Sequence, residues 1–341
     1  MTGSSLCPGC GTELGHALLS CPGCGRLVHA TALQELAREA QGHEDSGRGS
    51  EAMAAWRRAL ELLPAASRQR ERIEQKLGVL GRQVDAGSSR VAVASPTGHW
   101  ARRLAPLGLL GLLLWKFKFI VVFVLTKAKL LLLGLTKAPT FLSMLASFGV
   151  YWTVWGWRFA LGLLAAMYVH EMGHVFALSR YGIRASVPMF VPGLGAFVRM
   201  DQYPTNPRED ARVGLAGPVW GLGAAAAAWL VSLAGGGLAW AAIARAAAWL
   251  NLFNLLPLAM LDGGRGFRSL TRAQRFAATT GLGLAWAWSH DGLLALLFFV
   301  GAGRSILGKA PEEPDGWGLA QYLGLVATLT ALTGIRVEVA G

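Results

Sequence analysis

Long apolar stretches recur through most of this chain and constrain its fold more than any other feature. In lipid, only helices and closed barrels satisfy every backbone hydrogen bond, and runs of about 20 apolar residues fit the helical solution. The sequence therefore predicts a mainly α-helical, polytopic membrane protein with about six to eight spans. The stretches long enough to span cover residues 104–125, 142–168, 211–234, 238–256, 276–302 and 318–335.

The number of spans is a range because two regions allow more than one division. The first stretch contains Lys116 and Lys118, and residues 119–135 could form a separate short segment. The stretch 276–302 contains the polar residues 289–291 and could be two helices joined by a turn. We therefore predict the helical membrane domain over residues 104–335 without fixing its topology.

The charged residues divide the chain into two parts. Only 15% of the chain is charged, whereas a soluble domain carries about 25%. Residues 1–103 nevertheless hold 23 of the 52 charged residues, which indicates a soluble N-terminal module. Arg102 and Arg103 precede the first apolar stretch, and no signal-peptide pattern opens the chain. We expect a multi-pass protein of a bacterial cell membrane with a cytosolic N-terminus.

The net charge of +12 does not indicate a nucleic-acid-binding protein. By count, the N-terminal part carries +3 (13 basic, 10 acidic) and the apolar part +9 (19 basic, 10 acidic). Most of the excess therefore lies in short loops between apolar stretches, where Lys and Arg set membrane topology. We expect no nucleic-acid partner.

The four cysteines form two closely spaced pairs, Cys7 with Cys10 and Cys21 with Cys24. Two C-x-x-C pairs, each followed by glycine, suit a tetrahedral site of four thiolates around one zinc ion. Two disulfides are the alternative, but a cytosolic location disfavours them. The sequence predicts a structural zinc ribbon over residues 1–28, with no open coordination position for chemistry.

The next segment, residues 31–84, has a helical pattern of apolar residues. Ala52, Trp56 and Ala59 make one stripe, and this helix ends at Pro64. The spacing resembles the second helix of a tetratricopeptide repeat, and a plain helical hairpin explains it equally well. Residues 85–103 are rich in Gly and Ser and are predicted to be a linker.

The segment His170-Glu171-Met172-Gly173-His174 carries the clearest chemical signal. On a helix, residues four apart share a face, so both imidazoles can reach one zinc ion. Glu171 lies beside them and can accept a proton from water. The motif ends an apolar run, where ionisable residues are costly without a function. The pattern predicts a catalytic zinc site with Glu171 as the general base.

A catalytic zinc ion needs a third protein ligand and one open position. Asp262 is the best candidate, because it follows a helix break at Pro257 and is the only acidic residue between Asp210 and Asp291. The other histidines are poorer candidates, since they lie in the N-terminal module, the linker or a late turn. They are His16, His29, His43, His99 and His290.

At this point the sequence resembles the site-2 protease family of intramembrane zinc metalloproteases, over about residues 142–275. The resemblance depends on the HExxH residues and on the pattern of Asn254, Pro257, Leu261, Asp262 and Gly263. It implies zinc held by His170, His174 and Asp262, a Glu171 base, and cleavage of peptide bonds in or near transmembrane helices.

The resemblance implies further features around the motifs. Asn254 would hydrogen-bond the substrate backbone, and residues 187–199 would form short strands that offer an edge to an extended substrate. Gly217 and Pro218 match the family's Gly-Pro element, but Gly221 stands where the family has asparagine. That departure removes a polar contact and leaves the proposed metal ligands intact.

The leading hypothesis is a zinc endopeptidase with one catalytic and one structural zinc ion, and two other functional classes are its alternatives. A catalytically inactive membrane scaffold would act through its zinc ribbon and helical module. A transporter would use His170 and Glu171 as a relay, but no second copy of the motif is found. The expected partners of the peptidase are a membrane-protein or peptide substrate and a cytosolic regulator bound by the N-terminal module.

Overall fold

The computed structural model is mainly α-helical and begins with a small ribbon. In the ribbon, β1 (Ser5–Leu6) pairs antiparallel with β2 (Glu13–Leu14). Its core is very small, with Cys7, Leu14 and Cys21 buried together, and a segment of this size usually needs a bound metal or disulfides to fold. The residues that the structure describes are 5–15, 17–91, 138–193, 195–200, 202–335 and 337.

Three helices form the helical module: α1 (Ala30–Asp45), α2 (Gly49–Glu61) and α3 (Arg68–Val91). The predicted stripe is buried, including Ala52 and Trp56. α3 runs to Val91, so the linker predicted from residue 85 starts later than expected. Glycine and serine lower helix propensity without ending a helix, and the next proline after the start of α3 comes only at residue 96. Whether the helix pair is a tetratricopeptide repeat stays a prediction.

Eight helices are described after residue 137, and a π-helical turn at Ser232–Gly236 extends one of them. They pack into one bundle with a short β-hairpin between the second and the third. The helices are α4 (Ala138–Trp155), α5 (Trp157–Arg180), α6 (Pro207–Val231), α7 (Leu238–Asn254), α8 (Asp262–Arg268), α9 (Arg272–Ser289), α10 (Gly292–Leu307) and α11 (Gly316–Thr333).

The helix boundaries correct the prediction of one continuous span over residues 142–168. Gly156 separates α4 from α5 with a φ of +82°, a conformation that glycine adopts without steric cost. The stretch 276–302 is also divided, at His290 with a φ of +57°, which is one of the two divisions that the sequence allowed. The polar turn thus separates α9 from α10.

Two described helices are long and apolar enough to cross a membrane: α5, and the continuous helical segment over residues 207–236. α10 is apolar but shorter. The first predicted span, residues 104–125, lies outside the described residues, as do the segment 119–135 and most of the linker. The total of six to eight spans therefore stays a prediction.

α6 is the central helix of the bundle and packs against α5, α7, α8 and α11. α7 ends at Asn254, and the chain runs without helix to α8 at Asp262, as the proline at position 257 predicts. The β-hairpin consists of β3 (Met189–Val191) and β4 (Gly195–Phe197). These elements bring the polar motifs of three helices to one point inside the bundle.

Candidate metal centre

Three predicted ligands meet inside the bundle. His170 and His174 lie one turn apart on α5, and Asp262 is the first residue of α8. The Nε2 atoms of the two histidines are 3.2 Å apart. Asp262 places Oδ2 at 3.1 Å from His170 Nε2 and Oδ1 at 3.3 Å from His174 Nε2. Both histidines are more than nine-tenths buried.

These spacings fit a zinc ion. Ligand atoms at about 2.0–2.1 Å from a tetrahedral zinc ion lie about 3.3 Å from one another. The two Nε2 atoms are therefore spaced as two corners of one coordination tetrahedron, and each carboxylate oxygen of Asp262 lies at a similar distance from one of them. One of these oxygens can take the third corner, which leaves the fourth for another ligand. The donor set of two imidazoles and one carboxylate is also the type found in catalytic zinc sites.

A glycine on α6 makes room for the centre. A Cβ atom at Gly217 would lie 2.2 Å from His174 Nε2 and 2.7 Å from His170 Nε2. The backbone of α6 therefore comes as close to the ligand atoms as a residue without a side chain allows. This gives a physical reason for glycine in the Gly-Pro element that the sequence analysis noted.

The other ring nitrogen of each histidine, Nδ1, lies within hydrogen-bond distance of an oxygen atom that can act only as a hydrogen-bond acceptor. His170 Nδ1 is 2.8 Å from Asn251 Oδ1, and His174 Nδ1 is 2.8 Å from the carbonyl oxygen of Val213. Asn251 is itself held by a bond from its Nδ2 to the carbonyl of Ala247. Both histidines thus carry hydrogen on Nδ1 and direct the lone pair of Nε2 toward the centre.

Asn251 is the functional residue that the sequence analysis missed. A Cβ atom at Gly221 would lie 2.0 Å from Asn251 Oδ1, so the Asn251 amide occupies the space beside Gly221. The departure at Gly221 therefore creates room for a polar group from α7. A signal was available in the sequence, because Asn251 lies one helical turn before Asn254 in an otherwise apolar run.

Glu171 and Asn254 line the same cavity as the three candidate ligands. The cavity has a volume of about 800 Å³. Glu171 is buried, with 7% of its surface exposed. Aromatic side chains form much of the remaining wall, including Trp155, Phe197 and Trp249. The structure thus brings together all five residues that the sequence analysis assigned to this site, and their chemical roles stay predictions.

The predicted short strands lie at this cavity. Val191 pairs with Gly195 and Met189 with Phe197 in an antiparallel hairpin, and β4 lines the cavity. Two side chains of α4 also bond the hairpin. The Ser143 hydroxyl accepts the N–H of Phe190 at 3.1 Å, and the Tyr151 hydroxyl accepts the N–H of Gly193 at 3.3 Å.

The four cysteines form a second candidate metal site in the ribbon. Cys7 Sγ is 3.7 Å from Cys24 Sγ, and Cys10 Sγ is 3.5 Å from Cys21 Sγ. Thiolates at about 2.3 Å from a tetrahedral zinc ion lie about 3.8 Å apart, whereas a disulfide is about 2.05 Å long. The geometry fits four free thiolates. Hydrogen bonds from the Thr12 hydroxyl and backbone lower the pKa of Cys10 to about 6.

The remaining histidines in the described residues lie outside the bundle centre. His29 and His43 belong to the start and end of α1, and His290 ends α9. His16 and His99 lie outside the described residues. The only groups of three or more candidate ligands found in the described residues are the four cysteines and the cluster of His170, His174 and Asp262.

Two histidines of an HExxH helix and a carboxylate from a second helix, next to a glutamate, form the type of centre found in zinc metalloproteases. Residues 158–238 match the sequence model of Peptidase family M50, so the resemblance to the site-2 protease family is confirmed for the segment that carries the motif.

Two curated relatives from Mycobacterium tuberculosis, strains Erdman and H37Rv, are similar to this chain. Both are named "Putative zinc metalloprotease Rip3", and each is 32% identical over 148 residues. The similarity covers 40% of this chain and 37% of each relative, so the chain spans little more than a third of their length in the match. No solved structure matches the chain at comparable significance.

Proposed function

We propose that this chain is a zinc-dependent endopeptidase of the site-2 protease type, which cleaves membrane-protein substrates within or near their transmembrane helices. The observation that carries the proposal is the convergence of His170, His174 and Asp262, at distances that suit one zinc ion, in a cavity that Glu171 also lines. The match to Peptidase family M50 and the similarity to a zinc metalloprotease support it independently.

In this proposal, His170, His174 and Asp262 hold the metal. Zinc held there would supply Lewis-acid chemistry, which would polarise the scissile carbonyl and make water more acidic. Glu171 then takes a proton from the attacking water and delivers it to the amide nitrogen that leaves. Asn254, on the wall of the same cavity, is proposed to hydrogen-bond the substrate backbone.

The hairpin supports an extended substrate. Ser143 of α4 bonds β3 and Tyr151 of α4 bonds the turn of the hairpin at Gly193, whereas β4 lines the cavity. A helix must unwind before its amides can be cleaved, and an added strand would satisfy the backbone groups that unwinding frees. The aromatic and apolar wall beside β4 favours substrates with apolar side chains.

Large apolar side chains on the outer face of the bundle support a membrane location. Trp152, Leu161, Leu284 and Phe299 are each more than half exposed, and they belong to four different helices. Exposed apolar surface of this extent marks contact with lipid or another apolar surface. Together with the two helices long enough to span, this surface supports an integral membrane protein.

The distribution of basic residues supports a cytosolic N-terminal module. The end of the bundle that packs on the module is rich in arginine, including Arg184 and Arg199 in connections and Arg268 at the end of α8. Two connections at the opposite end, residues 232–237 and 290–291, contain no Lys or Arg. By the positive-inside rule, the module end then faces the cytosol, in a bacterial cell membrane.

The alternative function is a catalytically inactive scaffold that acts through its ribbon and helical module. Every position that a zinc peptidase needs is occupied by the required residue type, which favours an enzyme. A cytosolic regulator bound by the N-terminal module is compatible with either function and remains part of the proposal.

A cleavage assay with Glu171→Gln tests the enzyme. The full chain, with zinc, would be reconstituted in phosphatidylethanolamine–phosphatidylglycerol vesicles with a panel of fluorescence-quenched single-span peptides. We expect cleavage by the wild type, and a loss of about 10²-fold or more in Glu171→Gln with zinc content unchanged. Glu74→Gln, an exposed glutamate of α3, is the matched control. Cleavage by Glu171→Gln at the control rate would remove Glu171 from the mechanism, and no cleavage by the wild type would favour the scaffold.

A further inference from the structure

The helical module packs directly on the end of the helix that carries the histidines. Tyr181 and Ile183, which follow α5, share one buried cluster with Ala52, Trp56 and Leu77 of the module. Gly182 lies between them with a φ of +65°, and a Cβ atom there would lie 2.5 Å from the backbone nitrogen of Ala54. The backbone of α2 is therefore in contact with the turn that ends α5.

One arginine of the module joins the ends of two bundle helices. Arg57 on α2 donates from Nε to the carbonyl oxygen of Tyr181 at 2.9 Å, and from Nη2 to Glu209 Oε2 at 2.8 Å. Tyr181 is the C-cap of α5, and Glu209 lies in the first turn of α6. The side chains of Arg57 and Glu209 are 3% and 2% exposed, so water does not screen this pair.

The two joined helix ends continue into the metal centre. Glu209 precedes Val213 by one helical turn, and the Val213 carbonyl is the group that orients His174. His174 in turn lies less than two turns before Tyr181 on α5. A change in the separation of α5 and α6 at this end would therefore move the Val213 carbonyl relative to His174 Nδ1.

We propose that Arg57 is a positioning residue of the metal centre. It acts through Tyr181 and Glu209, which fix the ends of α5 and α6 and thereby hold His174 against the Val213 carbonyl. The helical module is then a structural part of the peptidase centre, in addition to any partner that it binds. This inference uses the metal-binding part of the proposed function and does not depend on peptide cleavage.

Arginine 58 provides a matched control. It is the next residue of the same helix, and it pairs with Glu39 at the surface, where both side chains are at least 36% exposed. Exposed ion pairs contribute little to stability. Arg58→Met therefore makes the same substitution as Arg57→Met without affecting the buried ion pair between Arg57 and Glu209. Any effect specific to Arg57→Met then reports the contact with the helix ends.

The experiment measures zinc affinity and cobalt spectra of the full chain in detergent. Chelator competition should show that Arg57→Met lowers the zinc affinity of the site formed by His170, His174 and Asp262 about 10- to 100-fold, and that Arg58→Met leaves it unchanged. With Co²⁺ in place of zinc, the visible bands of the site formed by histidine and aspartate should shift in Arg57→Met. The thiolate bands of the ribbon should stay the same and serve as an internal reference.

Arg57→Met leaves the Glu209 charge buried without its cation, and this alone could prevent folding. A second variant is therefore needed to separate loss of folding from loss of positioning. Arg57→Met combined with Glu209→Met removes both charges and keeps apolar packing. Lowered affinity and shifted cobalt bands in this folded variant support the proposal. Wild-type affinity and spectra, in either variant, would overturn it and leave Arg57 with a purely structural role. Failure of the wild type to cleave peptides would contradict the proposed enzyme and leave these measurements valid.

Discussion

At the scale of single residues, the bond between His170 and Asn251 determines which histidine nitrogen faces the centre. Asn251→Leu removes the acceptor at similar volume, so His170 can rotate or change tautomer. We expect zinc affinity to fall about 10- to 100-fold in chelator competition. Asn251→Asp keeps an acceptor oxygen and should retain zinc. Equal affinities for wild type and Asn251→Leu would show that His170 is held by other contacts.

Gly217 makes the second prediction at this scale. In Gly217→Ala, the new methyl group would lie 2.2 Å from His174 Nε2, which places it where the ligands approach the metal. We expect loss of the peptidase-site zinc, measured by metal analysis. Gly223→Ala on the same helix is the control, because nothing lies within 4 Å of its Cβ position. That control should keep zinc and stabilise the helix by about 0.5–1 kcal/mol. Zinc retained in Gly217→Ala would mean that α6 moves away easily.

The candidate ligands could be predicted from the sequence because each carries a local signal. His170 and His174 are four residues apart on one helix, and Asp262 follows a recognisable helix break. Asn251 and Gly217 could not be assigned in this way. Their roles depend on how closely α6 and α7 approach α5, and this distance follows from packing across the bundle, which residue spacing within one helix does not encode.

At the scale of secondary-structure elements, an ion pair joins α6 to the start of α11. Arg212 contacts both carboxylate oxygens of Asp315, at 2.6 and 3.0 Å, and Asp315 also caps α11 through the N–H of Gly318. Burial alone would raise the pKa of Asp315, but the hydrogen bonds from Arg212 and Gly318 outweigh it and hold that pKa below its ordinary value.

This lowered pKa gives a prediction with a definite sign. A carboxyl group with a lower pKa in the folded state stabilises the fold above about pH 4, and this contribution is lost as the pH falls further. Asp315→Asn keeps the cap but not the charge, so it should cost about 3 kcal/mol at pH 7 and much less near pH 3. Thermal unfolding in detergent at pH 7 and at pH 3 measures the two costs, with a substitution of the exposed Glu313, Glu313→Gln, as control. A cost that does not depend on pH would exclude the ion pair as its source.

The pattern of apolar residues predicted which segments form helices, but it did not predict where each helix begins and ends. The long stretch over residues 142–168 is divided at Gly156 because the chain turns there through a conformation open to glycine, and apolar composition carries no information about that turn. In α3, the Gly- and Ser-rich residues after 85 continue the helix. Composition indicates where a helix is weak, and neighbouring contacts decide where it ends.

At the scale of the whole molecule, the chain separates into a ribbon with its own metal site and a module joined to the bundle. The sequence predicted a helical module but not its attachment, because a buried arginine such as Arg57 looks like any surface arginine in a helical pattern. Only the structure shows that Arg57 and Glu209, 152 residues apart, form one buried contact. In the described residues, the ribbon core contains only ribbon residues, so the two candidate metal sites share no buried cluster.

If the two sites are independent, each chain should bind two zinc ions, and each ion should depend on its own set of ligand residues. The ribbon holds four thiolates at the spacing of a closed tetrahedral site, and the bundle holds two imidazoles and a carboxylate at the spacing of an open one. Metal analysis of the purified full chain should therefore give two equivalents of zinc. Cys7→Ser with Cys10→Ser should remove one of them and leave peptide cleavage. Asp262→Ala should remove the other and abolish cleavage, with the exposed Asp45→Ala as control. A total of one equivalent, or loss of both after the cysteine change, would contradict two independent sites.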